Sequence, residues 1–211
     1  EAPPPADINK AGDEPGGANL NYQLERMGGF FAEYMMARRA NPQDDVLTEL
    51  ATATYTDGTT PDITEVVTLA VFLFAAGGDT SAKLLTNGTR ILCENPELQR
   101  QLRADYSLIP GFLEEVLRFE GSTKCTFRLV KRKSKVGDVE VFPGERIVVL
   151  LGATGHDSRR WEDPKAFRIG RPKIREHLAF GRGKHTCVGA PLARAEAAVM
   201  LETLFDRTSN I

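Results

Sequence analysis

The chain is poor in cysteine and shows no paired spacing among the few it has. Cys93, Cys125 and Cys187 lie far apart, which argues against a disulfide framework and against the repeated Cys/His spacing of a closed zinc site. Long apolar runs are missing too. The longest, VVTLAVFLFAA from Val66 to Ala76, is too short to cross a bilayer and fits a buried helix, so no membrane span is expected. Neither sign of charge dominates: a net charge of −2 gives no bulk attraction to nucleic acid or to an anionic surface, and neither is expected as a partner. No segment near the start joins a basic stretch to an apolar one as a secretory signal does. With so few cysteines, a reducing, cytoplasmic setting is the expectation. What is present is ordinary for a globular protein. The 211 residues, 41% hydrophobic and 27% charged, suffice for one large domain or two small ones.

Residues 1–20, EAPPPADINKAGDEPGGANL, are rich in proline and glycine and read as a flexible, lid-like or disordered segment. Helical periodicity begins near Asn21, with Leu24, Met27, Phe31, Tyr34 and Met35 on one side, and ends before Pro42. A second helix covers DDVLTELATA. Asp62 followed by Glu65 resembles a capping box that opens a long apolar helix from about Ile63 to Cys93. Two further helices carry Pro96 and Pro110 near their starts. Beyond Glu120 the texture changes. Between Ser122 and Gly152, β-branched and polar residues alternate around Gly137-Asp138 and Pro143-Gly144, the pattern of short strands in hairpins. A final helix runs from about Ala190 to Phe205. The expected fold class is mainly α, with a long central helix and small β hairpins.

Cys187 stands in AFGRGKHTCVG, just before that last helix. Gly181, Gly183 and Gly189 let the backbone turn sharply and lie close against a flat object. The following helix aims free N–H groups and the positive end of its dipole at the sulfur, which favours a thiolate. A zinc site built on His185 and Cys187 lacks further ligands. A phosphate loop fails because His185, not Ser or Thr, follows Lys184. A cysteine nucleophile with His185 as base stays open, although two residues along a tight loop is poor geometry for proton transfer.

FGRGKHTCVG resembles the cysteine-ligand loop of the cytochrome P-450 haem-thiolate monooxygenases, Phe-Gly-x-Gly-x-His/Arg-x-Cys-x-Gly, at Phe180, Gly181, Gly183, His185, Cys187 and Gly189. The resemblance implies that Cys187 is the proximal iron ligand, that His185 contacts a haem propionate and that Phe180 lies beside the sulfur.

Other stretches agree. FAAGGDTSAKLL places two adjacent glycines inside the long helix, where each costs roughly 1 kcal/mol relative to alanine. Gly77 and Gly78 would let backbone approach a flat ring, with Asp79 and Thr80 at a break in the helix suited to proton delivery. Alternatively, Thr80 simply bonds back to its own turn. Ala76 to Thr80 also resembles the family's oxygen-activation motif, Ala/Gly-Gly-x-Asp/Glu-Thr. In EEVLRF, Glu115 and Arg118 share one helix face, as an ordinary surface ion pair would. The family's Glu-x-x-Arg motif implies instead a buried structural network with Arg171. Arg128 and His177 match positions that often contact haem propionates in bacterial members. GATGHD carries His156 where soluble bacterial relatives often have the arginine of an Asn-Arg-Asp element.

The resemblance implies a partial cytochrome P-450 fold in which residues 21–211 are the C-terminal part of a single haem-binding domain, truncated at both ends. Haem b would be the cofactor. O₂, an apolar small-molecule substrate and a ferredoxin- or flavin-type electron donor would be the partners, with one oxygen atom inserted into the substrate. Phe74, Ala75, Thr123, Lys124, Cys125 and Thr126 are substrate-pocket candidates by position. A haem-thiolate carrier or sensor without turnover, and a cysteine hydrolase, are the alternatives.

Overall fold

The computed structural model describes residues 17–211, and the chain groups into two compact units, residues 1–76 and 77–211. The expected lid-like segment lies, for residues 1–16, outside the described residues. Its last four residues belong to a helix, α1 (Gly17–Ala40). The last proline before that helix is Pro15, so nothing further along bars helical hydrogen bonding, and α1 begins four residues earlier than the apolar periodicity indicates.

In the first unit α1 is followed by α2 (Val46–Thr52), whose N-cap Asp45 accepts a hydrogen bond from the Thr48 N–H at 2.7 Å. The third helix, α3 (Ile63–Glu94), opens on the expected box. Asp62 accepts from the Thr64 N–H at 2.8 Å, and Glu65 accepts from the Asp62 N–H at 3.2 Å. Met35, Ala51, Val66 and Ala70 form the core of this unit. Arg39 donates to the carbonyls of Ala51 and Pro61, both at 2.8 Å, and so caps the end of α2.

The second unit holds the rest of α3, then α4 (Pro96–Ala104), α5 (Ile109–Glu120), strands β1 (Thr126–Leu129), β2 (Ser134–Val136), β3 (Val139–Val141) and β4 (Arg146–Val149), the short α6 (Leu151–Thr154) and α7 (Ala190–Arg207). Its core joins Leu84, Ile91 and Leu92 of α3 to Leu102, to Ile109, Phe112, Leu113, Val116 and Leu117 of α5, and to Ala197, Leu201 and Phe205 of α7. The helix at its centre, α5, is buried on nearly every side.

The strands pair differently from a row of hairpins. β2 and β3 are one hairpin across Gly137-Asp138, with Gly137 at φ 59°. β1 instead reaches past that hairpin to pair antiparallel with β4, Thr126 opposite Val149 and Leu129 opposite Arg146. The apolar Leu151 and Gly152, readable as the end of a strand, turn into α6. The Gly152 N–H there donates to the Lys124 carbonyl at 2.9 Å.

Candidate active site

The cysteine loop is built by backbone turns that need its glycines. Gly181 (φ 71°) and Gly183 (φ 81°) occupy the left-handed region, where a side chain would strain the turn. The chain makes a single 3-10 turn over Gly183–His185 and comes back on itself, so that the Cys187 N–H donates to the Phe180 carbonyl at 2.8 Å. Cys187 is exposed, and a Cβ built on Gly189 would lie 3.8 Å from its Sγ. The 18-residue α7 begins three residues later with Gly189 at its N-cap, which sets the sulfur near the positive end of a long helix. His185, Lys184 and Arg182 are exposed along the loop.

Gly77, Gly78, Asp79 and Thr80 sit on α3, which runs through them without the expected break. All four are exposed, and a Cβ on either glycine would meet nothing within 4 Å. The two glycines are tolerated because intrahelical hydrogen bonds continue on both sides. Asp79 pairs with Lys83 one turn along at 2.5 Å. The Thr80 hydroxyl lies 3.4 Å from the Gly77 carbonyl, a long bond. Just beyond the motif α3 is tied down, because Ser122 donates to the Thr80 carbonyl at 2.8 Å and Ser81 bonds Glu196 of α7 at 3.3 Å. The helix bearing Asp79 and Thr80 is thereby fixed against the helix that follows Cys187.

Beneath the loop lie two adjacent buried carboxylates with separate partners. Glu115, fully buried, accepts from Arg118 Nε at 2.9 Å and from a second Arg118 nitrogen at 2.8 Å. It also accepts from Arg171 at 3.2 Å and from the Arg168 N–H at 2.9 Å. The two guanidiniums spend their remaining N–H groups on the carbonyls of Gly155, Pro164, Ala166, Glu162 and Asp163. Glu115, Arg118 and Arg171 are therefore a buried network and not a surface ion pair.

Glu114, one residue earlier, faces His177 at 2.9 Å and Arg194 of α7 at 3.1 Å. Burial pushes the Glu114 carboxyl up, but hydrogen bonds from His177 and Arg194 and the Arg194 charge outweigh it and hold the group at about 2.

Two residues expected at haem propionates have partners within the protein. His177 is buried, with Nε2 on Glu114 and Nδ1 accepting from the Ala179 N–H at 3.2 Å. Both ring nitrogens are committed within the protein, so no N–H remains for a propionate. Arg128 is exposed on β1, with its guanidinium turned back to the Phe127 carbonyl at 2.8 Å and to the Thr126 hydroxyl at 3.3 Å. It would have to break a local bond to reach a carboxylate elsewhere. His156 Nε2 donates to the Phe119 carbonyl at 3.0 Å, and the imidazole packs edge-on against the Phe119 ring.

Phe180 is half-buried on the core, with the Arg194 guanidinium 4.7 Å above its ring. Of the pocket candidates, Thr123, Cys125 and Thr126 are half-buried around the start of β1, and the Lys124 ammonium is engaged by Glu120. Phe74 and Ala75 belong to the first unit, exposed on α3, with Phe74 5.8 Å from Phe31. Glu114 and Arg194 are the residues that sequence reasoning passed over. The one available signal was the Glu114-Glu115 doublet on a helix otherwise apolar on most sides.

The donor set fits one kind of cofactor. No group of three or more His, Cys, Asp or Glu side chains among the described residues could close around a metal. A single exposed thiol beside glycine-lined backbone suits a metal that brings its other ligands in an organic ring, as haem iron does.

A mainly helical unit with the Cys187 thiol just before a helix start, and a buried Glu-Arg-Arg network anchored on α5, defines the class. The chain belongs to the cytochrome P450 family, whose model matches residues 24–209. Among curated proteins it is similar to cytochrome P450 144 of Mycobacterium tuberculosis, 38% identical over 188 residues, which are 89% of this chain and 43% of that protein. It is also similar to the cyclomarin C epoxidase CymV of Salinispora arenicola, 39% identical over 82% of this chain and 44% of that protein. The substrate-free structure of cytochrome P450 CYP150A6 of Mycobacterium marinum superposes with a TM-score of 0.85 at 49% identity, covering 89% of this chain and 46% of that one. The chain thus spans about half the length of the relatives it matches.

Proposed function

We propose that the full-length protein is a haem-thiolate monooxygenase that inserts one atom of O₂ into an apolar small molecule, with electrons from a ferredoxin- or flavin-type donor. The observation that carries this reading is the placement of Cys187. Its sulfur is exposed at the positive end of α7, in a loop closed by the Cys187 N–H on the Phe180 carbonyl. Haem b, when bound, supplies the redox chemistry of oxygen activation. The chain's own residues do the rest. Cys187 supplies the sulfur ligand from just before the start of α7. Phe180 shields one side of the loop, and His185, exposed at the turn, is the histidine available to a carboxylate of the cofactor. Gly77 and Gly78 keep the backbone of α3 bare. Asp79, exposed and paired with Lys83, and the Thr80 hydroxyl one residue along, 3.4 Å from the Gly77 carbonyl, form a short proton path on the same helix.

Names of relatives support the substrate class: CymV is an epoxidase of cyclomarin C, and the similar CYP109E1 of Bacillus megaterium, with a TM-score of 0.85 at 32% identity, is solved in complex with testosterone. The test is the absorption spectrum of the reduced, carbon-monoxide-bound full-length protein. A red-shifted thiolate-type Soret band is expected, and it should vanish in Cys187→Ala. A band that survives the substitution, or is absent from the unsubstituted protein, overturns the assignment.

A further inference from the structure

The Glu115 network sits under the core, but it makes no hydrogen bond to the segment between His177 and Arg194 that carries the cysteine. Glu114 does, and on both flanks. On the N-terminal flank its carboxylate binds His177 at 2.9 Å. On the C-terminal flank it binds Arg194, with one nitrogen at 3.1 Å and Nε closer still. Arg194 in turn lies 4.7 Å over the ring of Phe180, the residue whose carbonyl receives the Cys187 N–H.

The hydrogen atoms can be assigned from the partners. The Ala179 N–H donates to His177 Nδ1, so that nitrogen is an acceptor, and Nε2 is left to donate to the carboxylate. The imidazole thus passes the orientation of Glu114 on to the backbone at Ala179, one residue before Phe180. Arg175, exposed and 3.8 Å away, is the other cation that reaches Glu114. The group is buried, and its bonds to a charged acceptor are of the stronger kind.

We propose that Glu114 is a positioning residue for the cysteine ligand: from α5 it clamps both ends of the cysteine loop, through His177 before the loop and Arg194 after it, and so fixes where the Cys187 sulfur points. The clamp is distinct from the Glu115, Arg118 and Arg171 network, although the two carboxylates are neighbours in sequence. Its catalytic consequence rests on the reading of Cys187 as the haem ligand, but its geometry does not.

Hydrogen exchange of the full-length protein separates the two. In Glu114→Gln the amides that hold the loop, those of Ala179, Gly181 and Cys187, should exchange faster by on the order of tenfold or more, the scale of losing a charge-assisted bond. The Arg168 amide, which donates to Glu115 at 2.9 Å, should stay within about twofold if the opening is local. Arg194→Gln, which removes the second arm from the other flank, should produce the same pattern, and adding Glu114→Gln to it should add little. A rise spread equally over Arg168 and the loop would mean that Glu114 only stabilises the whole fold, and no rise at the loop would mean that it holds nothing there. Either result overturns the clamp. The carbon-monoxide spectrum reports separately on the ligand: a loop that loosens in a protein without a thiolate-type band would defeat the haem reading and leave the clamp standing.

Discussion

Replacing Glu115 by alanine tests the energetics of the buried core most directly. The side chain is fully buried and accepts from Arg118, Arg171 and the Arg168 amide. Removing it leaves two guanidiniums facing each other with no carboxylate between them, and orphans one backbone N–H. The backbone carbonyls around them still accept most of their donors, so hydrogen bonding is largely kept and the main loss is charge compensation in a buried setting. Removal of one partner from a buried ion pair costs about 3–5 kcal/mol. Against a total of about 5–15 kcal/mol for a folded domain, that is a large share of stability. Urea unfolding of the full-length protein followed by circular dichroism should show a midpoint lower by roughly 1–2 M at unchanged slope. Glu115→Gln keeps the shape and should lose less. A fall of under about 1 kcal/mol in the alanine variant would show that the carbonyl cage alone satisfies the two arginines, and would refute the charge argument.

Glu114 gives a pH signature of its own. Its carboxyl is held at about 2 against an ordinary 4.5, so the unfolded chain takes up the proton first as pH falls. The stabilisation is therefore complete above about pH 4.5 and lost towards pH 2; it amounts to about 3 kcal/mol, and Glu114→Gln should flatten this acid limb in urea titrations run from pH 6 to 2. At Gly155 an added Cβ would lie 1.9 Å from the Arg118 carbonyl oxygen. Gly155→Ala should therefore lower stability by about 1–3 kcal/mol or more, measured by the same urea titration, as overpacking does. Gly78→Ala meets no atom within 4 Å. Helix propensity alone predicts that stability holds or rises by up to about 1 kcal/mol, while haem occupancy and substrate turnover should fall if bare backbone is needed there; unchanged occupancy and turnover would reduce Gly78 to a tolerated helix glycine.

Local signals carried most of the secondary structure. The box at Asp62 and Glu65, the prolines near the starts of α4 and α5 and the glycines of the cysteine loop each act within a few residues, and each lies where the sequence places it. What local signals alone do not supply is what depends on distant partners. Spacing puts Glu115 and Arg118 on one face, and only the family resemblance adds their third member, Arg171, 56 residues later. Glu114 bonds residues 63 and 80 positions away, and no periodicity distinguishes it from a solvated glutamate. His177 depends on distant partners in the same way. A histidine close before the cysteine loop resembles a cofactor contact, yet the fold spends both its nitrogens on Glu114 and Ala179. β1 finds β4 across an intervening hairpin for the same reason, since register is set by pairing and not by the residues between.

The exposure of α3 brings these strands of argument together. By length and apolarity alone this helix could cross a membrane: it has 32 residues with a stretch of mean hydropathy 1.4, of which only 11% is buried. Its two ends argue otherwise. Val66 and Ala70 are packed in the core of the first unit, and Leu84, Ile91 and Leu92 in that of the second. Between them residues 72–80 are exposed, and that stretch holds two glycines, a carboxylate and a hydroxyl in addition to Phe72, Leu73 and Phe74. A lipid-facing segment does not favour a charged side chain at its middle. A soluble surface does not favour a run of large apolar ones. Both features mark a stretch of α3 that is apolar on the first unit's side, at Phe72, Leu73 and Phe74, and polar on the second unit's side, at Asp79 and Thr80. Within the second unit, bare backbone at Gly77 and Gly78 and an exposed sulfur at Cys187 lie on elements joined by the Ser81–Glu196 bond, so a change at one is expected to be felt at the other.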